Sequence, residues 1–273
     1  MDSTIIVGDV RSTLGYLEDN TIQTCITSPP YWGLRDYGNP DQIGLEPTPE
    51  QYVETLVEIF DDVRRVLAKD GVLWLNLGDS YAGNNSRASN NGRAGYGNPR
   101  EGIYTRTGAG LKPKDLVGMP WRVALALQRE GWYLRQDVIW HKTNPLPESV
   151  NDRCTRSHEY LFMLTKSARY RFNADAIREP SNTKGYETRN KRDVWSIPVK
   201  PFKGAHFAVM PEALVEPCVL AASRENDTIL DPFAGAGTVG VVSKRYGRNF
   251  IGIEINEQYA DIARNRINNT QGI

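Results

Sequence analysis

The sequence predicts an α/β protein built on a doubly wound, mostly parallel sheet. Three observations lead there. Short β-branched runs alternate with windows of helical apolar spacing. A glycine-bearing turn joins one late run to a helix, and an early run ends abruptly on two prolines. Strands alternating with helices bury a parallel sheet under helices on both faces.

Taken in order, strand-like runs fall at 4–7, 23–27, 72–77, 132–140, 160–165, 228–230 and 249–254. The window 48–70 between the second and third opens on Thr48-Pro49-Glu50, an N-cap, an N1 proline and an acid in the first turn. Its apolar positions Tyr52, Leu56, Ile59, Phe60, Val63 and Leu67 keep helical spacing up to a stop at Asp70-Gly71. Further helices are predicted over 120–129, 210–223, 238–246 and 258–268.

Two stretches break this rhythm and read as loop-rich insertions on a single 1–273 domain. Residues 82–112 are rich in Gly and Asn with no apolar period, and residues 174–203 are polar and basic. The formal net charge is zero, but its distribution is uneven. Over 83–114, Arg87, Arg93, Arg100, Arg106, Lys112 and Lys114 face Glu101 alone. Over 178–203, seven basic residues face Glu179, Glu187 and Asp193. Local basic segments on a neutral chain suit a polyanionic partner.

Nothing in the chain reads as a membrane span or a signal peptide. Cys25, Cys154 and Cys218 are scattered, without the paired spacing of a metal or disulfide site, so no metal is expected and a reducing cytoplasm is the expected home. Cys218 falls within an apolar helix pattern and reads as core.

Two motifs carry the chemistry. In TSPPYWG (27–33) the prolines cannot donate to a sheet ladder, so the strand must stop at Ser28, leaving Tyr31 and Trp32 on a stiff turn at its carboxyl end. In TILDPFAGAGTVGVV (228–242) a strand meets a helix through glycines that let a ligand approach the backbone and the helix amides. Glu254, ending the next strand, is placed to take the hydroxyls of a ribose. Gly235, Gly237 and Gly240 match GxGxxG, so a nicotinamide-dependent oxidoreductase is one reading at this point. Such folds begin with this unit, whereas here only about one βαβ of chain follows it. The order therefore reads as circularly permuted.

With TSPPYW, DPFAGAGT and GIEIN in that order, the chain resembles the β-class DNA amino-methyltransferases, bacterial and phage enzymes that use S-adenosylmethionine. The likeness runs over nearly the whole length, through GVLWLNLGDSY (71–81), residues 137–173 and HFAVMPEALVEPCVLAAS (206–223). It implies a Rossmann-like methyltransferase fold. It implies that Asp231, Phe233, Gly235, Gly237 and Thr238 hold the methionine end of the cofactor, Glu254 its ribose and Asp9 its adenine amino group, with Phe207 and Pro211 closing the methionine pocket. It also implies double-stranded DNA as partner, action as a monomer or homodimer, and a possible restriction endonuclease acting separately.

The same resemblance gives the proline corner its role. Ser28 Oγ and the Pro29 carbonyl would accept from an exocyclic base amine and free its lone pair, Pro30 would stiffen the corner, and Tyr31 would stack on a base flipped out of the duplex. Family members acting on cytosine N4 mostly carry Ser before Pro-Pro, and those acting on adenine N6 mostly Asp or Asn. Ser28 thus points to cytosine N4, with adenine N6 the alternative. Arg87, Arg93 and Arg106 in the first insertion, with Lys142 and Arg156, are the expected DNA contacts. His141 and His158 read as structural.

Overall fold

The computed structural model describes residues 2–34, 39, 41–83, 110–200 and 209–272. In chain order the elements are β1 (Ser3–Val7), α1 (Val10–Thr13), β2 (Ile22–Thr27), α2 (Pro49–Val66), β3 (Leu67–Leu77), α3 (Met119–Arg129), β4 (Tyr133–His141) and β5 (His158–Thr165). There follow β6 (Glu179–Pro180), β7 (Thr188–Arg189), β8 (Val194–Ser196), α4 (Glu212–Ala222), β9 (Thr228–Asp231), α5 (Thr238–Arg245), β10 (Asn249–Glu254) and α6 (Glu257–Asn268).

Among the described residues eight strands form one sheet in the order β1-β10-β9-β2-β3-β5-β4-β8, with β6 and β7 a separate ribbon. β1 through β3 pair in parallel, as do β4 and β8, while β5 runs antiparallel to both its neighbours. The reversal at β5 follows from its connection: no helix lies between β4 and β5, and a parallel return needs a crossover. The mostly parallel sheet expected from the strand–helix alternation is what the chain forms.

Alternate residues of the central strands feed two cores. On one face Cys25, Leu73, Leu75, Phe162 and Leu230 pack under α2 and α3. On the other, Ile26, Trp74, Met163 and Ile229 pack under α4, α5 and α6. Near-continuous apolar strands are what a sheet covered on both sides requires. Cys218 is fully buried in the second core and its thiol donates to the Leu214 carbonyl, as a core residue.

Helix α2 begins where its cap was expected: Thr48 accepts from the Gln51 amide while Gln51 returns a bond to Thr48 N. It ends earlier than the expected stop at Asp70-Gly71. Leu67 is extended and pairs with Ile22, so its apolar side chain serves the sheet rather than a further helical turn. The basic stretch 174–203, read from its polarity as loop, contributes β8 to the edge of the main sheet. Trp195 there is buried against Trp74 with ring centroids 6.2 Å apart. A three-residue strand is too short to leave a period in the sequence. Most of the insertion 82–112 lies outside the described residues. Among the described residues no helix is long and apolar enough to cross a membrane.

Phe60 is fully buried under the sheet. Phe60→Ala should cost about 3–5 kcal/mol of stability, and Thr48→Ala about 1 kcal/mol, in urea unfolding monitored by circular dichroism. Equal losses in the two variants would contradict this packing.

Candidate active site

All five parallel strands β1, β10, β9, β2 and β3 end on the same edge of the sheet, and the chain turns away from β9 and β2 in opposite directions. Ligands bind at such a switch point, outside the carboxyl ends of the strands. The two sequence motifs follow these two neighbouring strands. Thr24 pairs with Ile229 and Cys25 with Leu230, and at the strand ends Thr27 Oγ1 donates to Asp231 at 2.6 Å. A cavity of about 460 Å³ opens above this bond, with Ser28, Pro29, Pro30 and Tyr31 on one wall and Asp231, Phe233, Gly235, Thr238 and Glu254 on the other.

On the glycine side, Asp231 is 2% exposed. Its Oδ1 also accepts from the Phe233 amide at 3.1 Å. Burial nevertheless outweighs these bonds and pushes the carboxyl up to about 7, with nearby Glu254 adding to the rise. Glu254 accepts from the Gly235 amide at 2.8 Å and the Asn256 amide at 2.9 Å, and burial raises its carboxyl too. The bond to Gly235 draws the loop across the end of β10. Gly237, at φ +74°, opens α5, and a Cβ there would stand 2.8 Å from that of Ala263 on α6. Gly240 matters for packing instead, since a Cβ would press on the Phe250 ring at 2.7 Å, and its absence lets α5 settle on the sheet. Arg266 reaches from α6 to bond the Ala236 carbonyl and, at 3.3 Å, Thr238 Oγ1.

Asp9 lies on the cavity wall at the start of α1. It caps the Arg11 amide at 2.8 Å and pairs with the Arg11 guanidinium, whose hydrogen bond holds its carboxyl below the usual range.

On the proline side, the Pro30 carbonyl accepts from Tyr52 Oη at 2.8 Å and the Trp32 indole donates to the Glu46 carbonyl at 2.9 Å. The turn is thereby bolted to the start of α2. The Tyr31 ring packs close against Gly78, where a Cβ would meet Cε2 at 2.6 Å. Ser28 Oγ donates to Tyr31 Oη at 3.2 Å, and Tyr31 Oη donates to Glu159 Oε2 at 2.7 Å. Burial, with Glu159 beside it, keeps the phenol well above its ordinary value. Asn76 Nδ2 donates to the same carboxylate oxygen at 3.1 Å, and Lys142 Nζ pairs with the other oxygen.

Other expected site residues fall elsewhere. Phe207, Arg87, Arg93 and Arg106 lie outside the described residues. Pro211 is buried at the N-cap of α4, while Val209 and Met210 just before it line the cavity. Lys142, expected to face DNA phosphate, turns into the cavity toward Glu159, with Trp140 4.8 Å from its ammonium. Arg156 stands 3.8 Å from Asp79, which caps α3 through the Gly118 and Met119 amides. In the second insertion, Arg189 and Arg192 both pair with Glu179, and Arg178 bonds Thr188, so part of its positive charge is spent internally. His141 bonds Ser196 at 3.0 Å, and burial beside Arg156 lowers His158.

Asn76, Glu159 and Trp140 line the cavity without having been singled out in the sequence. Two of them left a trace: Asn76 interrupts the apolar run GVLWLNL, and Glu159 stands at the head of EYLFML.

Residues 22–265 match the N6/N4 methylase family model, described as DNA methylase. The chain is 50% identical to the type II methyltransferase M.Cfr9I of Citrobacter freundii, over 97% of this chain and 87% of that protein. It is likewise 50% identical to the type II methyltransferase M.SmaI of Serratia marcescens, over 96% and 90%. Among solved structures, the cytosine-N4-specific PvuII DNA methyltransferase superposes with a TM-score of 0.72 at 19% identity, over 99% of this chain and 89% of that one. A putative DNA modification methylase of Thermus thermophilus, complexed with S-adenosyl-L-methionine, gives 0.66 at 23% identity, over 97% and 94%. Two convergent motifs on one sheet edge and full-length identity agree: the chain belongs to the N6/N4 DNA methylase family.

Proposed function

We propose that this protein is a site-specific DNA methyltransferase that moves a methyl group from S-adenosylmethionine to the exocyclic N4 amine of a cytosine flipped out of a short target sequence. The observation that carries the reading is the shared cavity above Thr27 and Asp231, with the proline corner on one wall and the glycine loop on the other. The whole chain acts as one methyltransferase unit. Its strand order, with the glycine loop near the end, supports reading it as permuted. Type II relatives support a restriction nuclease working separately, and a DNA substrate agrees with a cytoplasmic home.

The residues present fit S-adenosylmethionine. The cavity of about 460 Å³ suits a nucleoside-sized ligand, the glycine loop exposes backbone, and the acidic side chains of Asp9, Asp231 and Glu254 on its lining suit a molecule bearing ammonium and sulfonium charge. Asp231 and the loop residues Phe233, Gly235, Gly237 and Thr238 would hold its methionine end, and Glu254 the ribose. Asp9, steadied by Arg11, would hold the adenine amine. Phe207 and Pro211 would close the pocket. When bound, the cofactor supplies an electrophilic methyl group, so what the chain itself must do is prepare the amine. Ser28 Oγ and the Pro29 carbonyl accept from that amine and turn its lone pair toward the methyl. Pro30, held by Tyr52, keeps the carbonyl in place, and the Tyr31 ring supports the flipped base. Ser28 at this position favours cytosine over adenine. Residues 82–112 and 174–203 flank the site in sequence as the candidate readers of the target, with Arg87, Arg93, Arg106 and Arg156 as basic groups toward the DNA, while Lys142 serves the cavity as the partner of Glu159.

Incubation of DNA with labelled S-adenosylmethionine, followed by nucleoside mass analysis, tests the reading; N4-methylcytosine is expected. N6-methyladenine would overturn the cytosine assignment, and an unlabelled product pool would overturn the activity. Ser28→Ala should bind the cofactor normally while losing about 100-fold in turnover.

Asp231 generates a pH prediction. Its folded value near 7 lies above the unfolded value of about 3.9, so the stability tied to its neutral form is present at low pH and lost as pH rises from about 4 through 7. Asp231→Asn should therefore gain on the wild type across that interval and hold a constant advantage above it, in thermal unfolding at a series of pH values. A constant difference from pH 4 upward would refute the assignment.

Replacing Arg87, Arg93 and Arg106 together by Ala should weaken DNA binding and reduce the slope of log K against log salt by about 0.9 for each phosphate no longer neutralised. An unchanged slope removes the loop from the DNA interface.

A further inference from the structure

From the proline corner a line of hydrogen bonds leads to a carboxylate. Ser28 donates to Tyr31 at 3.2 Å, and Tyr31 donates to Glu159 at 2.7 Å. Lys142 pairs with the far oxygen of that carboxylate, whose side chain is 14% exposed. Asn76, on β3, donates to the same Glu159 oxygen at 3.1 Å, and its own Oδ1 is a second acceptor for the Tyr31 hydroxyl at 3.4 Å, longer than the 2.7 Å bond to Glu159. His158 and Arg156 precede Glu159 in sequence, and His141 pairs with His158 across the ladder; Lys142 is the cation in contact. The fold does not need this cluster for its strand pairing, which is backbone hydrogen bonding between β3, β4 and β5. Gathering a carboxylate, an ammonium and a phenol out of water costs stability that apolar side chains would not. All of these groups lie on the cavity into which Ser28 faces.

We propose that Glu159 terminates a proton relay through Ser28 and Tyr31 that takes up the proton the target amine must lose. The inference rests on the reading of Ser28 as the amine's acceptor. As the amine nitrogen bonds to the methyl carbon and the sulfur–methyl bond breaks, the nitrogen is left with one proton too many and a positive charge. That proton passes to Ser28 Oγ, the serine proton to Tyr31 Oη, and the tyrosine proton to Glu159 Oε2. The balance is a neutral methylated amine, a neutral thioether and a protonated Glu159, with serine and tyrosine restored and no further reactant consumed. Lys142, paired with the other carboxylate oxygen, keeps Glu159 aimed before the step. Glu159 is a positioning residue: it acts on the base only through Tyr31.

Three variants of the full chain test this, each assayed for single-turnover methyl transfer to unmodified plasmid DNA and, by calorimetry, for S-adenosylmethionine affinity. Glu159→Gln still accepts the Tyr31 hydrogen bond but takes no proton. Tyr31→Phe keeps the ring and breaks the relay. Both should lose about tenfold or more in transfer rate with cofactor affinity unchanged, and Glu159→Asp should recover part of the loss. A Glu159→Gln rate within about twofold of wild type overturns the relay, because a merely structural carboxylate is replaced well by the amide. Should that variant fold poorly, Tyr31→Phe decides, and a wild-type rate in it overturns the relay equally. A wild-type protein that transfers no methyl group to DNA brings down the proposed function itself, a different result from an active enzyme indifferent to Glu159.

Discussion

One hydrogen bond, from Thr27 at the end of β2 to Asp231 at the end of β9, holds the rest of the site in relation. It joins residues far apart in the chain where two neighbouring parallel strands stop together. β2 leads into the proline corner and β9 into the glycine loop, so whatever each motif binds is delivered to the same few ångströms. The sheet makes this inevitable once the strands pair in the register Thr24 to Ile229: parallel strands place their carboxyl ends on one edge, and their successors must begin there.

The two walls solve their electrostatic problem in opposite ways. On the glycine side, carboxylates are buried with hydrogen bonds that do not fully repay the lost hydration, and both Asp231 and Glu254 are pushed toward the neutral form. Such groups gain when a cation arrives, which suits a positively charged ligand. On the proline side the carboxylate Glu159 is already matched by Lys142 and bonded by Tyr31 and Asn76. That wall is cross-linked by these bonds, and the bond from Ser28 to Tyr31 ties the serine hydroxyl into the same network.

Much of this was legible in the sequence, for identifiable reasons. Long amphipathic α2 announced itself by spacing and cap, and the strands by β-branched runs, because periodic burial leaves a periodic trace. The two motifs stood out because prolines and glycines are costly inside regular elements and therefore mark what they do. What left little trace was contact between distant segments. β8 was invisible because three residues carry no period, and Lys142 looked like a surface cation because its partner Glu159 is reached only by folding β4 onto β5.

By itself, then, the sequence determined the alternation of elements, the two specialised turns and the family they signal, since each is written in local backbone chemistry. Only the tertiary structure decided that Asn76, Trp140 and Glu159 join those turns around one cavity, and that Lys142 faces inward. The reason is geometric. A side chain's neighbours across a sheet are set by strand order and register, and neither quantity is encoded in any single stretch of chain.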